Sequence, residues 1–283
     1  MATVLDYATF DKGRHQLTLG IRAIPMAAWI EPDDRTVRQL NEKTRLLAER
    51  HADVFDALDG SEAAQAECLA YLRANLLTHH PGHPGLAVPV TGAAPLDLAG
   101  RMVQEDLLLM ERREAGWVLI AASLCFPARW RLSDKIGKPM AGIHEPVPGF
   151  NDRLARPVDR FFDQVSPEQP YLRANWSVID DPTLFQPTGH GRGLHDASIT
   201  PANAPDRLHV RVERQTFVSL PQCRVLVFGI KTIVDPITIL DPHPALAASL
   251  AATIRDMPDD MARYKSMAPF RDALLGYLDG VSS

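Results

Sequence analysis

The chain has 283 residues, of which 46% are hydrophobic and 23% charged, and its formal net charge is −5. This apolar content is enough to bury a core without disulfides or metals, and the acidic balance argues against a surface that binds nucleic acid. The sequence shows neither a basic and apolar leader nor an apolar run of about 18 residues. We therefore expect a cytoplasmic protein that binds neither nucleic acid nor membranes.

Helical patterns flank the sequence on both sides. In the segment 33–58, Val37, Leu40 and Leu47 recur at helical spacing among charged residues, which predicts one amphipathic helix or two. Further helices are predicted over 61–77, up to about 101, over 243–257 and over 270–278. The Pro- and Gly-rich segment 79–85 must interrupt the first set, because proline removes a donor and glycine favours turns.

Five strand-like segments lie between these flanks. They cover 106–112, 117–126, 171–179, 208–220 and 224–234, and a helix is predicted over 152–165. The first two strands are separated by a turn of hairpin length. Residues 118–124 and 225–230 are apolar at nearly every position, which indicates a sheet covered by helices on both faces. The terminal flanks would cover one face and the segment 129–165 the other.

This element order predicts an α+β fold. A five-stranded antiparallel sheet with a helical crossover after its second strand is the order of a PAS-like domain, whose helical side encloses small ligands. No Gly/Ser-rich linker divides the sequence, so we interpret 1–283 as one domain. Its PAS-like core would span about 104–236, between helical flanks at 33–101 and 243–280.

Several short motifs resemble those of one family. They are WRLSDKIG at 130–137, IHEPVP at 143–148, RANW at 173–176, DDP at 180–182, RVERQT at 211–216 with LP at 220–221, and YK at 264–265. Together they resemble the α subunit of haem-dependent oxidative N-demethylase and its relatives. Each motif is short, but the set spreads over most of the sequence.

The resemblance implies a PAS-like haem b monooxygenase. Such an enzyme would oxidise a small secondary amine such as dimethylamine with O2, using electrons from a separate reductase subunit that carries FMN and a 2Fe-2S cluster. Tetrahydrofolate would accept the one-carbon product. Two departures leave the substrate open: Lys231 lies in a stretch where the family pattern has an arginine and a tyrosine, and Ser266 stands where glycine is usual.

His144 is the residue that we expect to hold the haem iron. It lies between the second strand and the crossover helix, and Pro146 and Pro148 restrict the backbone beside it. A structural role is the ordinary interpretation of a lone histidine, whereas the resemblance favours iron ligation. Cys125 is an alternative thiolate ligand, although a strand cysteine among apolar neighbours is more often part of the core.

Three polar residues of the fourth strand are candidate catalytic residues. Alternation places Arg211, Glu213 and Gln215 on one face, opposite Val210, Val212 and Arg214. In the haem domain implied by the resemblance, this face would form the distal wall, where the row could orient O2 and Glu213 could hold a cationic amine. An outward-facing ladder of salt bridges explains the same pattern equally well.

Other residues could complete a haem pocket. Asn175 and Trp176 could line the same cavity, although tryptophan is most often a core residue. The basic side chains of Arg129, Arg131 and Lys135 could pair with the haem propionates, or they could simply form a solvated turn.

The remaining histidines are weaker candidates. His79, His80 and His83 could bind a stray divalent ion, but an exposed loop is the commoner explanation. His190 and His195 could belong to a lid over the site, and simple exposure explains them as well.

Two other functions remain open at this point. A PAS-type haem protein could be a gas or redox sensor, although no output domain is apparent in this sequence. The fold could also have lost haem and become a non-catalytic ligand-binding protein, an alternative that Lys231 leaves open.

Overall fold

The computed structural model describes residues 2–10 and 12–283. Within these residues the centre of the molecule is one antiparallel sheet. Its strands are β1 (Arg22–Ala23), β2 (Phe55–Ala57), β3 (Asp106–Arg113), β4 (Gly116–Ser123), β5 (Tyr171–Ile179), β6 (His209–Ser219) and β7 (Leu226–Pro236). The order across the sheet is β1-β5-β6-β7-β3-β4-β2.

Helices precede, interrupt and follow the strands. They are α1 (Thr36–Glu49), α2 (His51–Val54), α3 (Glu62–His79), α4 (Pro95–Met102), α5 (Met140–Ile143), α6 (Phe150–Arg153), α7 (Ala155–Phe162), α8 (Ala204–Arg207), α9 (Pro244–Asp256), α10 (Asp259–Tyr264) and α11 (Arg271–Ser282). The α+β class predicted from the sequence is therefore correct. Among the helices of residues 2–10 and 12–283, none combines the length and apolar character that crossing a membrane requires.

The predicted strand count is wrong. All five predicted strands form, but within residues 2–10 and 12–283 the sheet has seven strands, because β1 pairs with β5 and β2 pairs with β4 at its two edges. A five-stranded PAS-like sheet is therefore not an exact description. The one or two helices predicted over 33–58 are α1, which ends at Glu49, and the short α2, whereas Phe55–Ala57 forms β2 instead. A strand this short is held by its partner rather than by its own sequence pattern, so periodicity could not reveal it.

The strand predicted over 117–126 ends at Ser123. After it, backbone N–H groups bond to a buried carboxylate instead of to a neighbouring strand. Asp106 at the start of β3 accepts hydrogen bonds from the backbone N–H groups of Cys125 and Phe126, each at 2.8 Å. Because the segment after Phe126 forms a wall of the cavity described below, these bonds help to fix that wall.

Different parts of the chain cover the two faces of the sheet. On one face, helices α6 and α7 pack Phe150, Val158 and Phe162 against the strands. On the opposite face, α3 and α4 cover one end and α9 and α11 cover the other. This is the arrangement predicted from the apolar centre strands, with the flanks on one face and the segment 129–165 on the other.

A buried ion pair connects α1 to the sheet. Lys43 Nζ lies 3.4 Å from Asp106 Oδ1, and both side chains are fully buried. Burial raises the pKa of the Asp106 carboxyl, and this cost is opposed by Lys43 and by the two N–H donors of Cys125 and Phe126. The pair therefore keeps a carboxylate inside the protein at the point where β3, β4 and α1 meet.

Replacing Lys43 by methionine should lower the free energy of unfolding by about 3–5 kcal/mol, because the Asp106 carboxylate would be left buried without its cation. Urea unfolding followed by far-ultraviolet circular dichroism measures the change. The control is Arg45→Met on the exposed face of the same helix, which breaks the exposed ion pairs with Glu42 and Glu49 and should have little effect. Similar small losses in both variants would contradict a structural role for the buried pair.

Candidate functional site

A cavity of about 990 Å³ lies between the sheet and the segment that contains α5, α6 and α7. Its size is at the upper end of the roughly 300–1,000 Å³ that is usual for ligand pockets. Every residue predicted from the sequence to be catalytic or to bind the cofactor lines this cavity: Arg129, Arg131, Lys135, His144, Asn175, Trp176, Arg211, Glu213 and Gln215. Their individual roles stay predictions.

The sheet contributes one wall, which we call the site face. Directly opposed residues of antiparallel strands lie on the same face, and β6 pairs Glu213 with Asn175 and Gln215 with Arg173. Arg211, Glu213 and Gln215 therefore point towards the cavity, together with Arg173 and Asn175 of β5. The alternative of an outward salt-bridge ladder is wrong.

The cavity has a polar part and an aromatic part. Beyond Gln215 the site face continues with Phe217, which stacks on Phe228 with 4.8 Å between ring centroids. Phe161 and Phe162 of α7 each lie 5.5 Å from Phe217. A ligand with an apolar body and charged substituents fits such a divided cavity.

His144 lies on the wall opposite the site face. Its Nδ1 is 3.1 Å from the carbonyl oxygen of Met140, one helical turn earlier, and its ring stacks on Phe150 with 4.3 Å between centroids. A carbonyl oxygen only accepts hydrogen bonds, so Nδ1 carries the proton. The Nε2 lone pair is then left for a ligand, and the ring is held in one orientation.

The His144 ring is neutral at physiological pH. Burial lowers the pKa of its imidazole to about 4, and the nearby positive charges of Lys135 and Arg173 act in the same direction, while the hydrogen bond to Met140 opposes them. A neutral imidazole whose Nδ1–H is bound to a backbone carbonyl is the form in which histidine binds metals. In residues 2–10 and 12–283, no cluster of three or more His, Cys, Asp or Glu forms an alternative metal site.

Glu213 is the acidic group of the site face. Its Oε2 accepts hydrogen bonds from Gln215 Nε2 at 3.0 Å and from Asn175 Nδ2 at 3.4 Å, and its Oε1 lies 4.0 Å from Arg211 Nε. The two amides fix the orientation of the carboxylate. The side chain is 15% exposed, so part of it stays accessible from the cavity.

Arg211 is anchored behind this carboxylate. Its Nη2 donates to the Phe126 carbonyl at 2.6 Å, and the side chain is only 2% exposed. Its Nε and Nη1 have no hydrogen-bond partner among the described residues. Arg211 therefore joins β6 to the segment after β4 while keeping donors for another acceptor.

Two residues from α10 and its C-terminal end complete the polar part. Lys265 Nζ donates to Asn175 Oδ1 at 3.1 Å and to the Trp176 carbonyl at 2.5 Å, beyond the stretch where β1 protects the edge of β5. Burial lowers the pKa of Lys265 to about 8. Burial also raises the pKa of the neighbouring Tyr264 hydroxyl to about 12, so that this group stays protonated at neutral pH.

Ser266 explains one departure from the family pattern. Its φ is 56°, in the left-handed region where glycine is favoured because it has no Cβ. The backbone therefore keeps the conformation that a glycine would adopt there, with serine at a modest conformational cost.

The basic residues at the edge of the cavity differ in what they contact. Arg129 donates to Asp180 and also to Gln186 Oε1 at 3.0 Å, and its Nη1 has no partner among the described residues. Arg131 is exposed. Lys135 donates to the carbonyl of Ile143, so it holds the backbone beside His144. The interpretation of these three residues as a merely solvated turn therefore fits Arg131 alone.

Two other residues have their side chains mainly on the opposite face of the sheet. Trp176 shares the face of Val212 and packs against Phe10 with 5.2 Å between ring centroids, so its side chain belongs mainly to the core on the opposite face. Lys231 is also on that opposite face, where its Nζ donates to the Glu31 carbonyl at 2.6 Å. Its departure from the family pattern thus lies outside the described lining of the cavity.

The structure also shows where the weaker histidine candidates lie. His83 is buried and its Nδ1 accepts a hydrogen bond from Gly85 N at 3.0 Å, which differs from the expected exposed loop. His80 bonds to the Ala27 carbonyl. His190 lines the cavity and packs edge-on against Tyr264, whereas His195 is exposed and absent from the described lining.

Cys125 does not favour a thiolate. Its side chain is fully buried, and burial raises the pKa of its thiol well above the ordinary value. It is absent from the described lining of the cavity. An ordinary core cysteine is the interpretation that fits.

Three residues of the site were not predicted individually, although they belong to quoted motifs: Arg173, Tyr264 and Lys265. Alternation along β5 from Asn175 would have placed Arg173 on the site face. The approach of Lys265 to the edge of β5 depends on how α10 packs, which no local pattern of the sequence reveals.

The His144 ring should stay in the neutral, Nδ1-protonated form from pH 8 down to about pH 5, because its pKa is lowered to about 4. The ¹⁵N chemical shifts of histidine-labelled protein measure this, with His144→Gln assigning the signal. An unfolded histidine binds a proton near pH 6.5, so this ring should also lower stability as the pH falls from about 6.5 to about 4. A ring that gains its proton between pH 6 and 7 would contradict the buried, neutral state.

The comparison with known families now has a structural context. The sequence model of the family described as haem-dependent oxidative N-demethylase, alpha subunit-like, matches residues 20–275, which include all the strands, His144, Glu213 and Lys265. This match confirms the resemblance seen in the short motifs. The chain therefore belongs to the haem-dependent oxidative N-demethylase, alpha subunit-like family.

Proposed function

We propose that this protein is the haem-binding catalytic subunit of an oxidative N-demethylase that acts on a small secondary amine, such as dimethylamine. One observation carries the proposal. His144 keeps an unprotonated Nε2 in the same cavity as Glu213, which can hold a cation. Family membership supplies the haem dependence and the reaction class.

The residues present fit haem b and its iron in three respects. His144 offers a neutral imidazole with its outer nitrogen free. Phe217, Phe228 and their neighbours offer an apolar surface for the macrocycle. Arg129, with an unpartnered Nη1, and the exposed Arg131 offer positive charge for the propionates. When bound, haem would supply the activation of O2.

The overall reaction that we propose is balanced by two electrons and two protons. Dimethylamine, O2, two electrons and two protons give methylamine, formaldehyde and water. One N–CH3 bond is broken and its carbon is oxidised, while O2 is reduced. Electrons would come from a separate reductase subunit carrying FMN and a 2Fe-2S cluster, and tetrahydrofolate would accept the one-carbon unit; both follow from the resemblance.

Glu213 would bind the amine. Secondary alkylamines are cationic at neutral pH, and a carboxylate that is largely removed from water attracts a cation more strongly than one in solution does. Asn175 and Gln215 hold Oε2 in place and leave Oε1 directed towards Arg211 and the cavity. Arg211, through its unpartnered Nε and Nη1, would help to orient O2.

Lys265 would supply a proton. Burial lowers its pKa to about 8, so Nζ can release a proton near neutral pH, and it lies 3.1 Å from the Asn175 amide that contacts Glu213. The reaction consumes protons, and this lysine is placed beside the amine-binding residues.

Titrating the protein with hemin tests the cofactor. The wild type should give a saturable Soret band that shifts on reduction, and His144→Ala should move that band and weaken hemin binding by at least the roughly 10- to 100-fold that loss of a supporting residue typically costs. The matched control is His195→Ala, an exposed histidine outside the described lining of the cavity. Its spectrum and affinity should equal those of the wild type.

Two results would overturn this assignment. Without a saturable band in the wild type, the chain would not be a haem enzyme, and a cofactor-free binding protein would be the better description. A wild type that binds haem and O2 or CO but turns over no amine would instead be a sensor.

Replacing Glu213 by glutamine should lower amine-dependent formaldehyde release by about 10- to 100-fold, since a hydrogen bond to a charged group contributes about 1.5–3 kcal/mol. The assay supplies NADPH and a surrogate ferredoxin–ferredoxin reductase pair as the electron source. Glu145→Gln is the control, because Glu145 also lines the cavity but is exposed. Equal rates of formaldehyde release in the two variants would show that Glu213 does not bind the amine.

A further inference from the structure

Glu213 is the one acidic residue described on the site face in the polar part of the cavity, and cations surround it. Arg173, Arg211 and Lys265 all act electrostatically on Glu213 or are acted on by it. Among the described residues, these three positive side chains therefore face one carboxylate, since Asp106, which also acts on Arg211, is already paired with Lys43. Because charges that are removed from water are normally paired, this group lacks negative charge.

Of these three cations, Arg173 has the fewest partners for its charge and its N–H groups. It lies on the site face of β5, opposite Gln215 and one diagonal step from Glu213. Its Nε is buried without a hydrogen-bond partner among the described residues. Burial lowers the pKa of its guanidinium, and the negative charge of Glu213 opposes that effect only at a distance.

The charge group of Arg173 is distinct from the one that we assign to the propionates. Arg129 is tied to Asp180 and Gln186, near Arg192. Arg173 instead shares its surroundings with Glu213, Tyr264 and Lys265, and its charge also acts on His144. An anion bound beside Glu213 could therefore pair with Arg173.

We infer that the substrate amine carries a carboxylate beside its methylated nitrogen, as an N-methyl-α-amino acid does, and that Arg173 binds this carboxylate while Glu213 binds the ammonium group. This inference rests on the proposed function and narrows its substrate class. Diagonal neighbours of an antiparallel pair are about 7–8 Å apart at Cα. The two side chains can therefore reach the adjacent charged groups of one zwitterion.

The reaction itself is unchanged by this substrate. An N-methyl-α-amino acid, O2, two electrons and two protons give the amino acid, formaldehyde and water. The carboxylate takes no part in the bonds that form or break. It would orient the methyl group and offset the positive charge of Arg173. Dimethylamine, which has no carboxylate, would instead add a further positive charge beside Arg173, Arg211 and Lys265.

Isothermal titration calorimetry of the hemin-loaded protein tests the inference with three probes: N-methylglycine, N-methylglycinamide and dimethylamine. The amide keeps the methylamine and removes the negative charge. N-methylglycine should bind about 10- to 100-fold more tightly than either other probe, the range expected for a charge-assisted hydrogen bond. Equal affinities for the three probes in the wild type would overturn the inference.

Variants of Arg173 test whether this residue causes the preference for N-methylglycine. Arg173→Gln should abolish the preference for N-methylglycine, and Arg173→Lys should retain part of it, because the charge is kept but the guanidinium fork is lost. Arg38→Gln, at an exposed position of α1, is the control and should keep the full preference. Thermal unfolding of each variant verifies that it is folded.

The cofactor and the substrate are measured separately. A loss of hemin affinity in Arg173→Gln with an unchanged preference for N-methylglycine would mean that Arg173 serves a propionate, and the inference would be wrong. Failure of the wild type to bind hemin would overturn the proposed function. The same calorimetry on the protein as purified would then still decide whether Arg173 selects a carboxylate.

Discussion

The pairing register of β5, β6 and β7 is the constraint on which the site depends. Side chains alternate along a strand, so a shift of one residue would turn Glu213 away from the cavity and bring Val212 into it. That shift is prevented from the other side of the sheet, where Val210 and Val212 are fully buried against the helices of the C-terminal flank. The apolar core of one face thereby fixes the polar row of the other.

His144 reaches the same cavity by a different route. Its ring is oriented by the Met140 carbonyl and by Phe150, both within a few residues in sequence, so its geometry is local. Lys135 adds a bond to the Ile143 carbonyl from the preceding turn. The site therefore joins a wall set by long-range strand pairing to a histidine set by a short segment, and packing through Phe217 and Phe162 holds the two at a fixed separation.

How far the sequence predicts this structure follows from the same distinction. Alternation along 208–220 was sufficient to place Arg211, Glu213 and Gln215 together, because period two is a local property. The direction of their face, towards the cavity or away from it, needed the tertiary structure. The short strand β2, the approach of Lys265 to β5 and the opposite-face position of Trp176 likewise depend on partners distant in sequence. Family motifs drew attention to His144, which periodicity alone could not distinguish from a structural histidine.

The two faces of the sheet also treat buried cations differently. On the face away from the cavity, Lys231 lies 3.1 Å from Asp33 Oδ2 and 3.3 Å from Glu31 Oε2, and Arg214 lies 3.5 Å from the same Glu31 oxygen, so two cations share two carboxylates. On the site face, Arg173 and Arg211 share the carboxylate of Glu213, because Asp106, the other anion near Arg211, is already paired with Lys43. A buried cation without a full counter-charge costs stability, and this protein supplies that counter-charge to its cations on the other face. The imbalance is therefore best understood as a functional feature, in which stability is given up to keep a cavity ready for anionic groups.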